Sequence, residues 1–96
     1  MPPVTRVGDK ATGHGSFPPN KNAKGSPNTF ANSKAITRVG DDMVPHSSPS
    51  PSPPHGGISV TGSPNVFVNS SPATRIGDAI SCGEVHATGS HNVCIN

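Results

Sequence analysis

Each of the three arginines in this chain is followed, at nearly the same distance, by a side chain that binds soft divalent metals. His14 lies eight residues after Arg6, His46 eight after Arg38, and Cys82 seven after Arg75. Imidazole nitrogen and thiolate sulfur are the usual ligands of Zn²⁺, which in structural sites takes four of them in a tetrahedron. Three segments supply three donors. His55, from a proline-rich loop, is the best fourth, and His86 is its rival. A set of three His and one Cys is closed: it leaves no position for a reacting water and acts through folding energy. Structural zinc contributes roughly 10–16 kcal/mol in small peptides near neutral pH. Iron also suits these donors.

Catalysis finds less support. A catalytic zinc keeps an open position beside an acid or base. The only Glu is Glu84, two residues after Cys82, and no His-Glu-x-x-His helix is present. The chain is therefore expected to be non-enzymatic, with a zinc hydrolase as the least favoured alternative. His91 stands where two related segments carry Pro27 and Pro64, which marks it as a surface substitution. Cys94 stands where they carry Phe30 and Phe67, and is expected to be a small buried apolar residue. A Cys82–Cys94 disulfide is the weaker reading of the two cysteines. Arg6, Arg38 and Arg75 are each followed three positions on by an aspartate, Asp9, Asp41 and Asp78. The arginines have two sets of partners available, these aspartates or carboxylates of a binding partner. A phosphate site is a further alternative, without an evident helix N-terminus or glycine-rich nest to build it.

Donors so spaced must be positioned by repeated elements, and the repeats are plain. Thr-Arg-Val/Ile-Gly-Asp occurs at 5–9, 37–41 and 74–78; Gly-Ser-Pro/His-Asn occurs at 25–28, 62–65 and 89–92. Gly25 to Arg38 is 13 residues and Gly62 to Arg75 is 13. Gly89 to Arg6 is also 13 if the tail is joined to the head, 7 to Asn96 and 6 more to Arg6. Constant spacing inside a unit fits a β-hairpin, whose turn fixes its register. In the middle copy, residues 65–68 read as an apolar strand, 69–72 as turn and 73–76 as the return strand. Spacing between units varies, 16, 21 and 11 residues from Asp to the next Gly, as loops do. The last strand, about 91–95, should pair with the first, about 3–7, closing a ring of three hairpins with pseudo-threefold symmetry and the termini side by side. The loop from Pro45 to Gly57 includes a Ser-Pro run that alone would read as a polyproline-like linker. Bracketed by His46 and His55, it is expected to be tied at both ends.

Composition shows that a fold of this chain needs extra help, for which the usual candidates are disulfides, a metal or a partner. Only 29% of the 96 residues are apolar, with three Phe, no Trp and no Tyr, against 12 Pro and 11 Gly. Ordering such a chain costs on the order of 100–200 kcal/mol in conformational entropy, and so few apolar side chains need a staple or a partner. A net charge of +2, without basic runs interleaved with aromatics, argues against nucleic acid. No stretch approaches the length of a membrane span, and Met1-Pro2-Pro3-Val4 lacks the features of a signal peptide.

The motifs resemble those of the PAAR-repeat family. Pro72-Ala73-Thr74-Arg75-Ile76-Gly77-Asp78 is similar to the Pro-Ala-Ala-Arg phrase, as are 35–41 and 4–9. His14, His46, Pro53-Pro54-His55, Cys82-Gly83 and Gly89 to Val93 also fall at family landmarks, and the likeness covers the whole chain. Thr replaces the second Ala of the phrase, and His86 and His91 are additional. The resemblance implies one all-β domain over 1–96, cone-shaped, with a flat threefold base and one metal near its point. It implies a metal-stabilised tip that caps the trimeric β-helical spike, VgrG-type or phage central spike, of a type VI secretion system or contractile phage tail. The partners so implied are that spike, effector cargo and, in passing, a target membrane. The tip would start in the cytoplasm and be delivered outside the cell. All 96 residues are used by the repeats, so no attached toxin is expected. A flexible zinc-binding scaffold peptide is the alternative.

Overall fold

A computed structural model describes residues 1–48 and 53–96. Regular elements are very short: β1 (Phe30–Ala31), β2 (Lys34–Ala35), β3 (Phe67–Val68) and β4 (Ser71–Pro72). β1 pairs with β2 and β3 with β4, both antiparallel, through Phe30↔Ala35 with Ala31↔Lys34 and Phe67↔Pro72 with Val68↔Ser71. No helix occurs among the described residues, so none is long and apolar enough to cross a membrane. The protein is all-β and elongated, about 40 × 23 × 23 Å.

The hairpin turns are tighter than the sequence suggests. Asn32 and Ser33 have φ of 53° and 66°, and Asn69 and Ser70 have 52° and 67°. Two consecutive residues at positive φ make a type I′ turn, whose twist matches that of paired strands. The turn is therefore two residues long, and Ser71-Pro72, expected as turn, belongs to the return strand. The third hairpin is closed by the ends of the chain. Pro3 bridges Cys94, Val4 N donates to Val93 O at 2.9 Å, and Ile95 N donates to Pro2 O at 3.0 Å. These bonds are the counterparts of those in the other two hairpins, so the ring expected from the spacing is present.

The return strand does not stay with its hairpin. Ala73 N still reaches Val66 O, but Thr74 N donates to Thr37 O, Thr37 N to Thr5 O and Thr5 N to Thr74 O, each at 3.0 Å. Beyond Ala73 the chain thus pairs with neighbouring repeats, as the bridges Val4↔Arg75, Arg6↔Ile36 and Arg38↔Ala73 also show. The three threonine hydroxyls meet in a triangle with sides of 2.5, 2.5 and 2.7 Å. A hydroxyl side chain suits this place because it both donates and accepts, which lets three buried groups satisfy one another.

Apolar side chains occupy two separate layers. Val4, Ile36 and Ala73, one per repeat, pack with Ala31 and Val68 beneath the hairpins. Ala11, Met43 and Ile80, again one per repeat, form a second cluster that touches Cys82. The threonine triangle and a second polar set, Asn22, Ser59 and His86, are buried as well. Asn22 reaches Arg6 O at 2.9 Å, and Ser59 and His86 bond each other at 2.9 Å. Each repeat runs in the same order, hairpin, threonine, apolar residue, metal-type donor, so the threonine and the second apolar layer separate hairpin from donor along the chain.

The repeated phrases have local causes. In every copy the arginine binds its aspartate through Nε and Nη2, while the arginine backbone N donates to the same carboxylate, all at 2.7–3.0 Å. This closed turn places the intervening glycine at φ of 91–95°, where a side chain is strained. In the other phrase, a Cβ on Gly25, Gly62 or Gly89 would lie 2.6–2.9 Å from a carbonyl of the first apolar layer. The serine that follows accepts from the backbone N two and three residues on, which fixes the entry into the hairpin.

Candidate metal centre

Four donors expected from the sequence converge. One ligand-type atom from each of His14, His46, His55 and Cys82 lies within 4.8 Å of all the others. Three loops deliver them, and the proline-rich one carries both His46 and His55. His14 sits in a tight turn in which its N and O bond the O and N of Phe17 at 3.1 and 2.8 Å. His46 and His55 face each other across an antiparallel bridge, with paired bonds of 2.8 and 3.1 Å, so described residues tie the proline-rich loop at both ends. The Ser-Pro run between them lies in part outside the described residues. Cys82 follows Ile80 of the second apolar layer.

The orientation of the rings suits a cation. His55 Nε2 faces His14 Nε2 at 2.9 Å and His46 Nε2 at 3.0 Å. His46 Nδ1 donates to Pro18 O at 2.8 Å, which leaves the Nε2 lone pair free to ligate. His55 Nε2 carries at most one proton for its two nitrogen neighbours, so it cannot make a full hydrogen bond to both by donation alone, and a cation among the three nitrogens would satisfy their lone pairs together. Tetrahedral zinc with Zn–N near 2.0–2.1 Å separates nitrogens by about 3.3 Å, a small expansion of the spacing here. The residues fit such an ion.

Burial, and then the adjacent His46 and His14, push the His55 imidazole below its usual range despite the opposing pull of Glu84. Burial pushes the Cys82 thiol up, as does the hydrogen bond it gives Glu84 Oε2 at 3.1 Å. A metal reverses that preference, since only the thiolate ligates.

Two residues of the centre have roles that sequence reasoning missed. The Phe17 ring lies 5.1 Å from His14, 5.1 Å from His46 and 4.2 Å from His55, and so walls the imidazoles. Its place three residues after His14 was the available signal. Glu84 is 2% exposed and ties the Cys82 thiol to Gly13 N, which it holds at 2.8 Å. Its carboxylate is engaged on both sides.

The remaining candidates lie elsewhere. His86, the rival to His55, is buried on Ser59 and outside the donor group, with its Nδ1 unpartnered. His91 is exposed, as expected. Both cysteines are free thiols, and Cys94 is exposed where burial was expected. The correction is one of facing: Phe30 and Phe67, at the same hairpin position, are each 57% exposed, while their neighbours Ala31 and Val68 turn inward. Arg6, Arg38 and Arg75 are held by their own aspartates, with side chains 9, 19 and 21% exposed. Arg6 and Arg38 also reach Asn32 and Asn69 in the turn of the next hairpin.

Fold and site together define a small three-hairpin β-protein with a His₃Cys group to which every repeat contributes. The PAAR motif matches residues 49–96, half of the chain, and includes the middle repeat, His55, Cys82 and the closing strand. The chain belongs to the PAAR-motif family, structural spike-tip proteins of contractile injection systems. No curated protein matches it.

Proposed function

We propose that residues 1–96 act as one unit that caps and sharpens the trimeric β-helical spike of a contractile injection machine. His14, His46, His55 and Cys82 hold one structural zinc, for which iron is the alternative ion. The observation that carries this reading is that each repeat sends a donor to a common point while the hairpins close into a ring through the chain termini. Three unequal repeats can then meet three equal subunits, one each.

The docking end is the hairpin end. Phe30 and Phe67 project there from equivalent positions, with Cys94 at the third. Capping exposed strand edges of the spike is a known mode of recognition between β-structures. Arg6, Arg38 and Arg75 serve this surface from behind: their charge is taken up by aspartate, and they fix the turns that present it. The metal stiffens the narrow end, where few side chains can pack, for passage through a target membrane. No step requires a moving part. The interlocked backbone favours this over a flexible metal-binding peptide, and the four-donor group favours it over a hydrolase, which needs an open ligand position. The tip is carried out of the producing cell with its spike, and cargo can travel with it.

The test is assembly. Mixed with its spike protein, the chain should elute as one copy per spike trimer. Phe30→Asp with Phe67→Asp should abolish the complex while leaving zinc content unchanged. An unaltered complex with that variant, or no complex with the native chain, refutes the assignment.

A further inference from the structure

Lys10 and Lys21 oppose each other across an antiparallel bridge. The bonds that flank them, Ala11 N to Asn20 O at 2.8 Å and Asn22 N to Asp9 O at 2.9 Å, make theirs a non-hydrogen-bonded pair. In such a pair both side chains leave the same face of the ladder and stand at their closest. Like charges placed this way repel.

Among the described residues no ion pair relieves them. The sequence has five acidic side chains. Asp9, Asp41 and Asp78 are bound by arginines, Asp42 by Lys24, and Glu84 by Cys82 and Gly13 N. Lys10 and Lys21 are left without a carboxylate among the described residues.

The two lysines edge a cleft of about 730 Å³ walled by Pro18, Pro19, Val44 and Pro45. That volume lies within the usual range for ligand sites. Proline rings make a stiff apolar wall with no N–H to satisfy. The two sides are held together: Val44 N donates to Lys21 O, Asn20 Nδ2 to Val44 O and His46 Nδ1 to Pro18 O, each at 2.8 Å. The cleft is thus preformed, and binding orders little of it.

We propose that this cleft binds an extended peptide segment of another protein in which acidic and apolar residues adjoin. A carboxylate would sit between the two ammonium groups, and an apolar side chain would lie against the prolines and Val44. The charge pattern and the apolar wall select this occupant together. An anionic lipid headgroup matches only the charge, and membrane recognition of that kind uses clusters of about four to eight basic residues. The cleft adjoins the metal centre through His46 but is lined by none of His14, His55 and Cys82, and by no residue of the hairpins that dock on the spike.

Fluorescence anisotropy on the metal-loaded full chain tests this with a labelled peptide of alternating Glu and Leu. Saturable binding is expected, with none by a Lys-Leu counterpart. Lys10→Glu with Lys21→Glu should weaken binding by roughly tenfold or more. Lys34→Glu, outside the cleft, should leave it unchanged. If the double reversal perturbs folding, Lys10→Gln with Lys21→Gln must still weaken binding several-fold at native zinc content. Absence of saturable binding by the native chain overturns the proposal. So does an equal loss with Lys34→Glu, unchanged affinity in the glutamine variant, or capture by phosphatidylcholine–phosphatidylserine vesicles in place of the peptide.

Discussion

Replacing His46 by alanine separates what the metal contributes from what the side chain contributes by itself. His46 is 5% exposed, donates through Nδ1 to Pro18 O, and lies against Phe17 and His55. Without metal, His46→Ala loses one hydrogen bond, worth about 1 kcal/mol, and leaves a cavity under Phe17 that costs about 1–3 kcal/mol more. If the proposed zinc is bound, the variant also lacks one of four donors, and a complete structural zinc site is worth roughly 10–16 kcal/mol. The zinc-dependent loss should therefore exceed the zinc-independent one. The assay is thermal unfolding of native and variant chains, each with zinc and with a chelator, with metal content measured alongside. In a domain of this size about 1 kcal/mol moves the midpoint by roughly 4–8 °C. Zinc should raise the native midpoint by tens of degrees and the variant midpoint far less. The reasoning fails if the variant keeps native zinc content, or if chelation lowers both midpoints equally.

Three further outcomes follow from the fold. Ser70→Gly relieves a side chain at φ 67° in a type I′ turn and should stabilise by about 0.5–1 kcal/mol, read as a higher denaturation midpoint. Thr37→Val breaks the hydroxyl triangle and leaves Thr5 and Thr74 short of a partner; a loss of about 1–3 kcal/mol in denaturant unfolding is expected. His86 gives a pH dependence: burial holds its imidazole below the usual range, against the pull of Asp78, Glu84 and Asp9. Its unfolded value is about 6.5, so below that pH the unfolded chain binds the extra proton and stability falls as pH drops. His86→Asn, the residue type found at the equivalent Asn22, should flatten that part of the curve relative to the native chain when both are measured with chelator.

The sequence by itself determined the parts that local chemistry repeats. An arginine, a glycine and an aspartate at fixed spacing make the same closed turn wherever they occur, because all its bonds lie within four residues. The 13-residue interval from Gly to Arg likewise sets one hairpin, so ring closure through the termini could be counted before any coordinates. Nearly equal offsets, eight, eight and seven residues from the arginine, pointed to His14, His46 and Cys82 as one set.

Tertiary structure decided what depends on other segments. Whether Phe30, Phe67 and Cys94 face in or out is a choice between the two faces of a strand, and the alternation alone allows either. The threonines pair across repeats because the three return strands meet near one axis, which no single hairpin reveals. His55 rather than His86 joins the donor group because the bridge to His46 folds the long loop back, whereas His86 takes the buried place held by Asn22 and Ser59 in the other repeats. Loops of unequal length carry no register of their own, so only their long-range bonds could place these residues.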